Sequence, residues 1–161
     1  MEKILKKVYN SPALRTLLTV VSHLAVVLTA AGYLLLLASC LAEPMRALKL
    51  IAIAALPFCL VTLLRSRLNA PRPYELYGFY EKAPKSRSGR SFPSRHVFSA
   101  FIIGCVALPV YPVMGGVILL LGALLAAARV LLGIHFPRDV IAGALIGAVC
   151  ALLGIIILRP F

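Results

Sequence analysis

Long apolar stretches separated by short polar segments make up most of the sequence. A helix needs roughly 20 mainly apolar residues to cross the hydrocarbon core of a bilayer. Five stretches have the character of such helices, at about residues 17–41, 48–64, 94–108, 117–133 and 138–158. We therefore predict a single all-α domain over residues 1–161, built as a polytopic membrane helix bundle of about five transmembrane helices.

The polar segments between these stretches differ in length and chemistry. The longest is a basic loop at residues 65–92, whereas Pro109, Pro112 and the pair Gly115–Gly116 predict a tight turn between the third and fourth helices. The first 15 residues carry four basic side chains, Lys3, Lys6, Lys7 and Arg15. The apolar stretch that follows is longer than the core of a cleaved signal peptide. We predict an N-terminal amphipathic segment followed by a retained first span.

Composition agrees with a membrane protein and narrows the choice of partners. Hydrophobic residues are 61% of the chain and the mean hydropathy is +0.99, whereas soluble domains have roughly 45–50% apolar residues. The net charge is +12, which is compatible with nucleic acid, anionic lipid headgroups or an anionic substrate. A nucleic-acid partner is disfavoured because little soluble surface exists. The bilayer itself and an anionic substrate remain as partners.

The positions of the polar residues favour a substrate site. Consecutive helices of a five-span bundle alternate in direction. The end of the second, the start of the third, the end of the fourth and the start of the fifth therefore lie on one side of the membrane. Those positions hold Arg65, Arg72, Ser94, His96, Arg129, His135 and Asp139. Ionisable residues at membrane-spanning segments are costly and usually mark a functional site.

These residue types together are suited to phosphate chemistry. An arginine presents a planar fork of donors that matches phosphate oxygens. Several arginines at one depth would repel one another, and would also repel a metal cation, unless an anion lies between them. Phosphoryl transfer depends largely on positioning and charge stabilisation. We predict a phosphate site without a metal ion or other cofactor.

Two histidines supply candidate catalytic groups. His135 lies four residues before Asp139, so that the carboxylate can accept a proton from one ring nitrogen and leave the other to attack. His96 can protonate the leaving oxygen. Ser94 precedes an apolar helix, where serine favours the N-cap and the following N–H groups point towards an anion. His23 lies within the first span and is interpreted as a packing residue or as part of a helix–helix hydrogen bond.

Each of these features has an ordinary explanation when taken alone. Arg65 and Arg72 are typical charges at the end of a span, and His96 is typical of a membrane interface. His135 and Asp139 can form a purely structural pair. A common location on one face is what favours function.

The residues and their spacing resemble the type-2 phosphatidic acid phosphatase family, relatives of the vanadium haloperoxidases. That family has a Lys-x6-Arg-Pro stretch, a Pro-Ser-Gly-His stretch and a Ser-Arg-x5-His-x3-Asp stretch. The corresponding segments are Arg65-x6-Arg72-Pro73, Pro93-Ser94-Arg95-His96 and Ala128-Arg129-x5-His135-x3-Asp139. The order and the internal spacings match across residues 65–139.

The resemblance implies a phosphohistidine intermediate on His135, oriented by Asp139, with His96 as the general acid. It implies that Arg65, Arg72, Ser94 and Arg129 bind phosphate, and that catalysis needs no metal ion. Three positions depart from the family pattern. Arg65 replaces lysine, Ala128 replaces serine, and Arg95 replaces glycine, where its side chain can add a contact to a second phosphate. None of these changes removes His96, His135 or Asp139.

The membrane side of the site is left open by the sequence. Five spans place the N-terminus on the side of the site, and its lysines favour the cytoplasm by the positive-inside rule. Bacterial members of the family commonly have six spans and an outward-facing site, which favours the opposite. The expected location is the cell membrane, as a multi-pass protein.

Our hypothesis from the sequence is a membrane lipid phosphatase. The expected substrates are an undecaprenyl-type polyprenyl diphosphate or phosphate, phosphatidate or phosphatidylglycerol phosphate. Two other functions fit parts of the pattern. One is a catalytically inactive protein that binds anionic lipid, and the other is a small anion transporter. The transporter has no need for His135 and Asp139 a helical turn apart.

Overall fold

The computed structural model describes residues 1–78 and 89–161. Within these ranges the chain forms helices and no strands, as predicted for an all-α bundle. The helices are α1 (Glu2–Tyr9), α2 (Pro12–Ala38), α3 (Pro44–Leu68), α4 (Pro73–Tyr77), α5 (Arg95–Ala107), α6 (Pro112–Leu131) and α7 (Pro137–Leu158).

Four of these helices, α2, α3, α6 and α7, are long and apolar enough to cross a membrane. The third predicted span differs. Helix α5 has 13 residues, which corresponds to about 20 Å at 1.5 Å per residue, whereas the hydrocarbon core is about 30 Å thick. The helix ends at Ala107, two residues before Pro109, and proline cannot continue a helix because it lacks an N–H donor. The bundle therefore has four long helices and one short apolar helix.

Helix α5 is the centre of the bundle. It packs against α2, α3, α6 and α7, and its core-facing side chains are almost completely buried: Val97, Phe98, Ile102 and Val106. Contact with α7 is especially close. A Cβ atom added to Gly143 would lie 2.6 Å from the Ser94 carbonyl oxygen, and one added to Gly147 would lie 2.6 Å from the Phe98 carbonyl oxygen. Glycine at these positions lets the two backbones approach.

The outward faces of the long helices are apolar. Leu34, Leu60, Leu120, Leu145 and Ile157 are each more than 60% exposed. Exposing side chains of this size to water is costly, since burying one contributes about 1.5–3 kcal/mol, whereas contact with lipid chains carries no such cost. The chain is a multi-pass membrane protein.

Several helix boundaries differ from the sequence prediction. Helix α6 begins at Pro112 rather than near Val117, and so includes Gly115 and Gly116 in its first turns. Helix α3 continues to Leu68, so that the predicted long loop begins later and contains the short helix α4. The remainder of that predicted loop, residues 79–88, lies outside the described residues.

The two ends of the chain lie at opposite ends of the bundle. Helix α1 is amphipathic, as predicted: Leu5 and Val8 are buried at the end of α6, beside Gly133, and the lysines are exposed. The last residues contact the start of α3, where the Lys49 ammonium donates to the Arg159 carbonyl at 3.4 Å. This is the arrangement expected when five helices alternate in direction.

Candidate active site

The end of α3 and the starts of α5 and α7 meet at one end of the bundle. Arg65, in the last turn of α3, is buried, and its Nη1 donates to the carbonyl oxygens of Ser91, at 3.2 Å, and of Pro93. The Ser94 N–H donates to the carbonyl oxygen of Asp139 at 2.9 Å. A guanidinium has five N–H donors, so the two bonds of Nη1 leave others for an anion. Arg65 therefore joins α3 to the segment before α5 and still faces the site as a cation.

His135 lies in the short connection between α6 and α7. Its backbone N–H donates to the Arg129 carbonyl at 3.3 Å, and the N–H of Ile134 donates to the same oxygen at 3.0 Å. Asp139 caps the start of α7, since its Oδ2 accepts from the Phe136 N–H at 2.9 Å. The imidazole and the carboxylate are both buried, with Nδ1 of His135 at 3.7 Å from Oδ2 of Asp139. The fold thus brings Arg129, His135 and Asp139 into one compact turn.

Ser94 lies at the predicted N-cap of α5, but its hydroxyl does not cap the helix. The Oγ atom is buried and has no hydrogen-bond partner among residues 1–78 and 89–161. A buried hydroxyl without a partner costs about 1–3 kcal/mol, which an incoming hydrogen-bonding ligand would recover. Ser94 is therefore an unsatisfied polar group at the start of α5, beside residues of the positively charged cluster.

Arg72 is held by a residue that sequence reasoning did not select. The Glu75 carboxylate accepts from the Arg72 N–H at 2.9 Å and from the Gly89 N–H at 2.7 Å, and Nε of Arg72 donates to the Gly89 carbonyl at 3.0 Å. Gly89 has φ +67, and a Cβ there would lie 2.3 Å from Oδ1 of Asn69, so only glycine fits. Glu75 lies three residues after Arg72, but arginine does not fit the Ser/Thr position of the capping-box signature, so no sequence signal pointed to Glu75.

Arg95 is half-buried in the first turn of α5. Its guanidinium lies over the ring of Phe58 on α3, 5.6 Å from the ring centre. It is close enough to act electrostatically on both Arg65 and His96. The side chain that replaces the glycine of the family pattern is thus part of the cluster, at the side where α3 faces lipid.

The remaining predicted residue, His96, is half-buried beside the same charges. Arg129, His135, Arg95 and Arg65 all act on it electrostatically. Arg90, which sequence reasoning did not select, acts on Arg65 in the same way. The structure therefore brings all eight predicted residues together: Arg65, Arg72, Ser94, Arg95, His96, Arg129, His135 and Asp139. Cations outnumber carboxylates in this cluster, which favours an anionic ligand.

His135 is neutral at pH 7 in this environment. Burial lowers the pKa of its imidazole below the ordinary value, and Arg72 and Arg65 lower it further, while the Asp139 carboxylate opposes the shift. A neutral imidazole has one nitrogen with a free lone pair. Nδ1 points towards Ser91 and Asp139, which leaves Nε2 for attack.

Ser91 is a second residue that the sequence did not reveal. Its hydroxyl is buried between His135 and Asp139.

Within the described part of the chain, His, Cys, Asp and Glu side chains form no group of three or more able to hold a metal ion.

Comparison with known proteins agrees with this geometry. The sequence matches the PAP2 superfamily over residues 46–160, which is most of the chain. The chain belongs to the PAP2 superfamily. The match includes all three motifs on which the site was predicted. No curated protein matches the sequence.

Two solved structures resemble this PAP2 protein over nearly its whole length. LpxE of Aquifex aeolicus has 27% sequence identity and a TM-score of 0.67, with 95% of this chain and 93% of that chain covered. A transmembrane PAP2-type phosphatidylglycerolphosphate phosphatase of Bacillus subtilis has 22% identity and a TM-score of 0.63, with 95% and 81% covered. The latter shows the fold alone. Membership of the family and the likeness to LpxE together support a membrane phosphatase.

Proposed function

We propose that this PAP2 protein is a membrane lipid phosphatase that removes phosphate from a lipid phosphate or diphosphate through a phosphohistidine intermediate on His135. The observation that carries the proposal is the buried His135, with Nδ1 directed towards Ser91 and Asp139, inside a cluster of arginines at one end of the bundle. Such a cluster stabilises the negative charge that develops on the phosphoryl oxygens.

In the first step Nε2 of His135 attacks phosphorus and the bond from phosphorus to the lipid oxygen breaks. His96 donates its proton to that leaving oxygen, which therefore carries no negative charge when it departs. The leaving group is the lipid alcohol when the substrate is a monophosphate, and the lipid monophosphate when it is a diphosphate. Arg65, Arg72, Arg129 and Ser94 bind the transferred phosphoryl group. The positive charges of the surrounding arginines disfavour protonation of His96 unless a bound anion offsets them. The phosphate of the substrate therefore favours the protonated form of His96.

In the second step a water molecule attacks the phosphohistidine. His96, now neutral, accepts the proton of that water, and inorganic phosphate leaves as the bond to Nε2 breaks. His135 is restored as a neutral imidazole. The arginines supply the positive charge throughout, so the proposal requires no metal ion.

The preferred substrate is an undecaprenyl-type polyprenyl diphosphate or phosphate, followed by phosphatidate or phosphatidylglycerol phosphate. The exposed apolar faces of the long helices allow the lipid chain to stay in the bilayer while its phosphate reaches the arginines between the helix ends. Arg95 favours a diphosphate, because it adds a cation beside the site at the lipid-facing side of α3. The phosphatase activity of the Bacillus subtilis relative towards phosphatidylglycerolphosphate supports the second class.

Phosphate release by the purified protein tests this proposal. The chain in detergent or vesicles is assayed with EDTA against a panel of phospholipid and isoprenyl phosphates. His135→Ala is expected to abolish release, whereas His23→Ala, which alters an exposed histidine on α2, is expected to leave it unchanged. Full activity of His135→Ala would exclude the mechanism. Lipid binding without any release by the unaltered protein would favour the inactive lipid-binding function.

A further inference from the structure

Ser91 has a fixed backbone and a completely buried side chain. It lies three residues before Ser94, in the segment that leads into α5. Its N–H donates to the Ala70 carbonyl at 2.9 Å, and its carbonyl accepts from Nη1 of Arg65 at 3.2 Å. These bonds hold the residue from both sides, so that its hydroxyl is held towards the start of α7.

The hydroxyl contacts both members of the histidine–carboxylate pair. Oγ of Ser91 lies 2.5 Å from Oδ2 of Asp139 and 3.3 Å from Nδ1 of His135. The direct separation between Nδ1 and Oδ2 is 3.7 Å, which is longer than a hydrogen bond. The path from the carboxylate to the imidazole therefore runs through the hydroxyl.

Donor and acceptor roles follow from the chemistry of the three groups. An ionised carboxylate only accepts hydrogen bonds, so the hydroxyl proton of Ser91 points to Asp139. The lone pairs of Oγ then accept from Nδ1–H of His135. Oδ2 of Asp139 also accepts from the Phe136 N–H at 2.9 Å, so two donors already occupy the oxygen nearest the imidazole.

We propose that Ser91 is a positioning residue, whose hydroxyl connects Asp139 to Nδ1 of His135 and thereby keeps Nε2 directed at the phosphorus atom. The inference rests on the proposed function, because it concerns how the attacking imidazole is oriented. No bond to Ser91 forms or breaks. When Nε2 is phosphorylated, the imidazole becomes a cation with its proton still on Nδ1, and the same two hydrogen bonds stabilise that charge.

The test compares Ser91→Ala with Ser91→Cys and with Ser66→Ala. Cysteine retains a side chain of similar size but donates and accepts hydrogen bonds weakly. Ser66 is an exposed serine near the end of α3, whose hydroxyl donates to the Leu63 carbonyl of its own helix at 2.7 Å, and it serves as the control. Phosphate release is measured on the intact protein with the best lipid substrate, and phosphoenzyme is trapped by rapid acid-free quench.

Ser91→Ala and Ser91→Cys are both expected to lower kcat about 10- to 100-fold, the loss found when partners that orient metal-binding histidines are removed. KM is expected to change less than about threefold, because Ser91 does not bind phosphate. Phosphoenzyme formation falls with kcat, and Ser66→Ala behaves as the unaltered protein. A kcat within about twofold of the unaltered protein, in a folded Ser91→Cys or Ser91→Ala variant, would overturn the inference.

A double-mutant cycle separates positioning from a general effect on the fold. Residues that act through one another show non-additive effects. Ser91→Ala is therefore expected to cost less than about threefold when Asp139→Asn is already present, and full additivity would contradict the inference. If the unaltered protein and Ser66→Ala release no phosphate from any lipid, the proposed function fails and the role of Ser91 fails with it.

Discussion

Gly143 of α7 lies so close to Ser94 that a Cβ atom on it would be 2.6 Å from the Ser94 carbonyl oxygen. One turn earlier in α7, the Asp139 carbonyl accepts the Ser94 N–H at 2.9 Å. The start of α5, which carries Ser94 and His96, is thereby held directly against the first turns of α7. The absence of a side chain at Gly143 sets the spacing between two parts of the candidate site.

Gly143→Ala is expected to destabilise the bundle and to reduce activity. The added methyl group meets backbone atoms that cannot move independently, and overpacking of this kind costs about 1–3 kcal/mol. Gly116→Ala is the matched control, since no atom of the described residues lies within 4 Å of a Cβ there, and alanine gains up to about 1 kcal/mol over glycine within a helix. Thermal unfolding of both variants in detergent provides the measurement. Equal stability of the two would contradict the close packing of α5 on α7.

The pH profile of kcat/KM reports the ionisation of His135. Burial, Arg72 and Arg65 lower its pKa, and the protonated imidazole cannot attack, so the acid limb of the profile is expected at pH values below about 6.5, the ordinary histidine pKa. Asp139 raises this pKa. The acid limb of Asp139→Asn, measured on its residual activity, should therefore lie at a still lower pH.

Using one substrate for both proteins removes the contribution of substrate ionisation, which is common to them. A shift of the acid limb of Asp139→Asn to higher pH would show that the carboxylate does not stabilise the protonated imidazole.

Glu75→Gln is expected to weaken substrate binding more than turnover. The Glu75 carboxylate accepts from Arg72 and Gly89, and the amide of glutamine has only one accepting oxygen. Loss of one bond to a charged group costs about 1.5–3 kcal/mol, so KM should rise about tenfold or more as Arg72 loses its fixed position. Glu43→Gln removes an exposed ion pair with Arg46 at the far end, and steady-state kinetics should show no effect. An unchanged KM in Glu75→Gln would refute the role of Glu75 in holding Arg72 in place.

Arg95→Ala distinguishes a diphosphate from a monophosphate substrate. If Arg95 contacts the second phosphate, the variant should raise KM for a polyprenyl diphosphate about 10- to 100-fold, the equivalent of one charge-assisted hydrogen bond, with a smaller effect on the monophosphate. Arg67→Ala, at an exposed position in the last turn of α3, controls for loss of a basic charge. The same increase for both lipids would argue against a second phosphate contact.

Much of the site was predictable because its residues occur at helix ends. The pattern of apolar stretches gives the number and direction of the helices, and direction alone puts Arg65, Ser94, Arg129 and His135 on one side. The spacing of His135 and Asp139 in the sequence already places them near each other. Glu75 and Ser91 were missed because their bonds reach residues 14 and 48 positions away, and such contacts have no periodic signal.

By itself the sequence determined the class of this protein, its helical bundle, the shared face of its polar residues and its membership of the PAP2 superfamily, because hydrophobic periodicity and motif spacing are local properties of the chain. Only the tertiary structure decided that α5 is a short helix of 13 residues, that Gly143 fixes its distance from α7, and that Ser91 lies between His135 and Asp139. Those features depend on packing between segments distant in sequence. Which hydrogen bonds form there depends on small differences in the distance between atoms, and no sequence pattern specifies those distances.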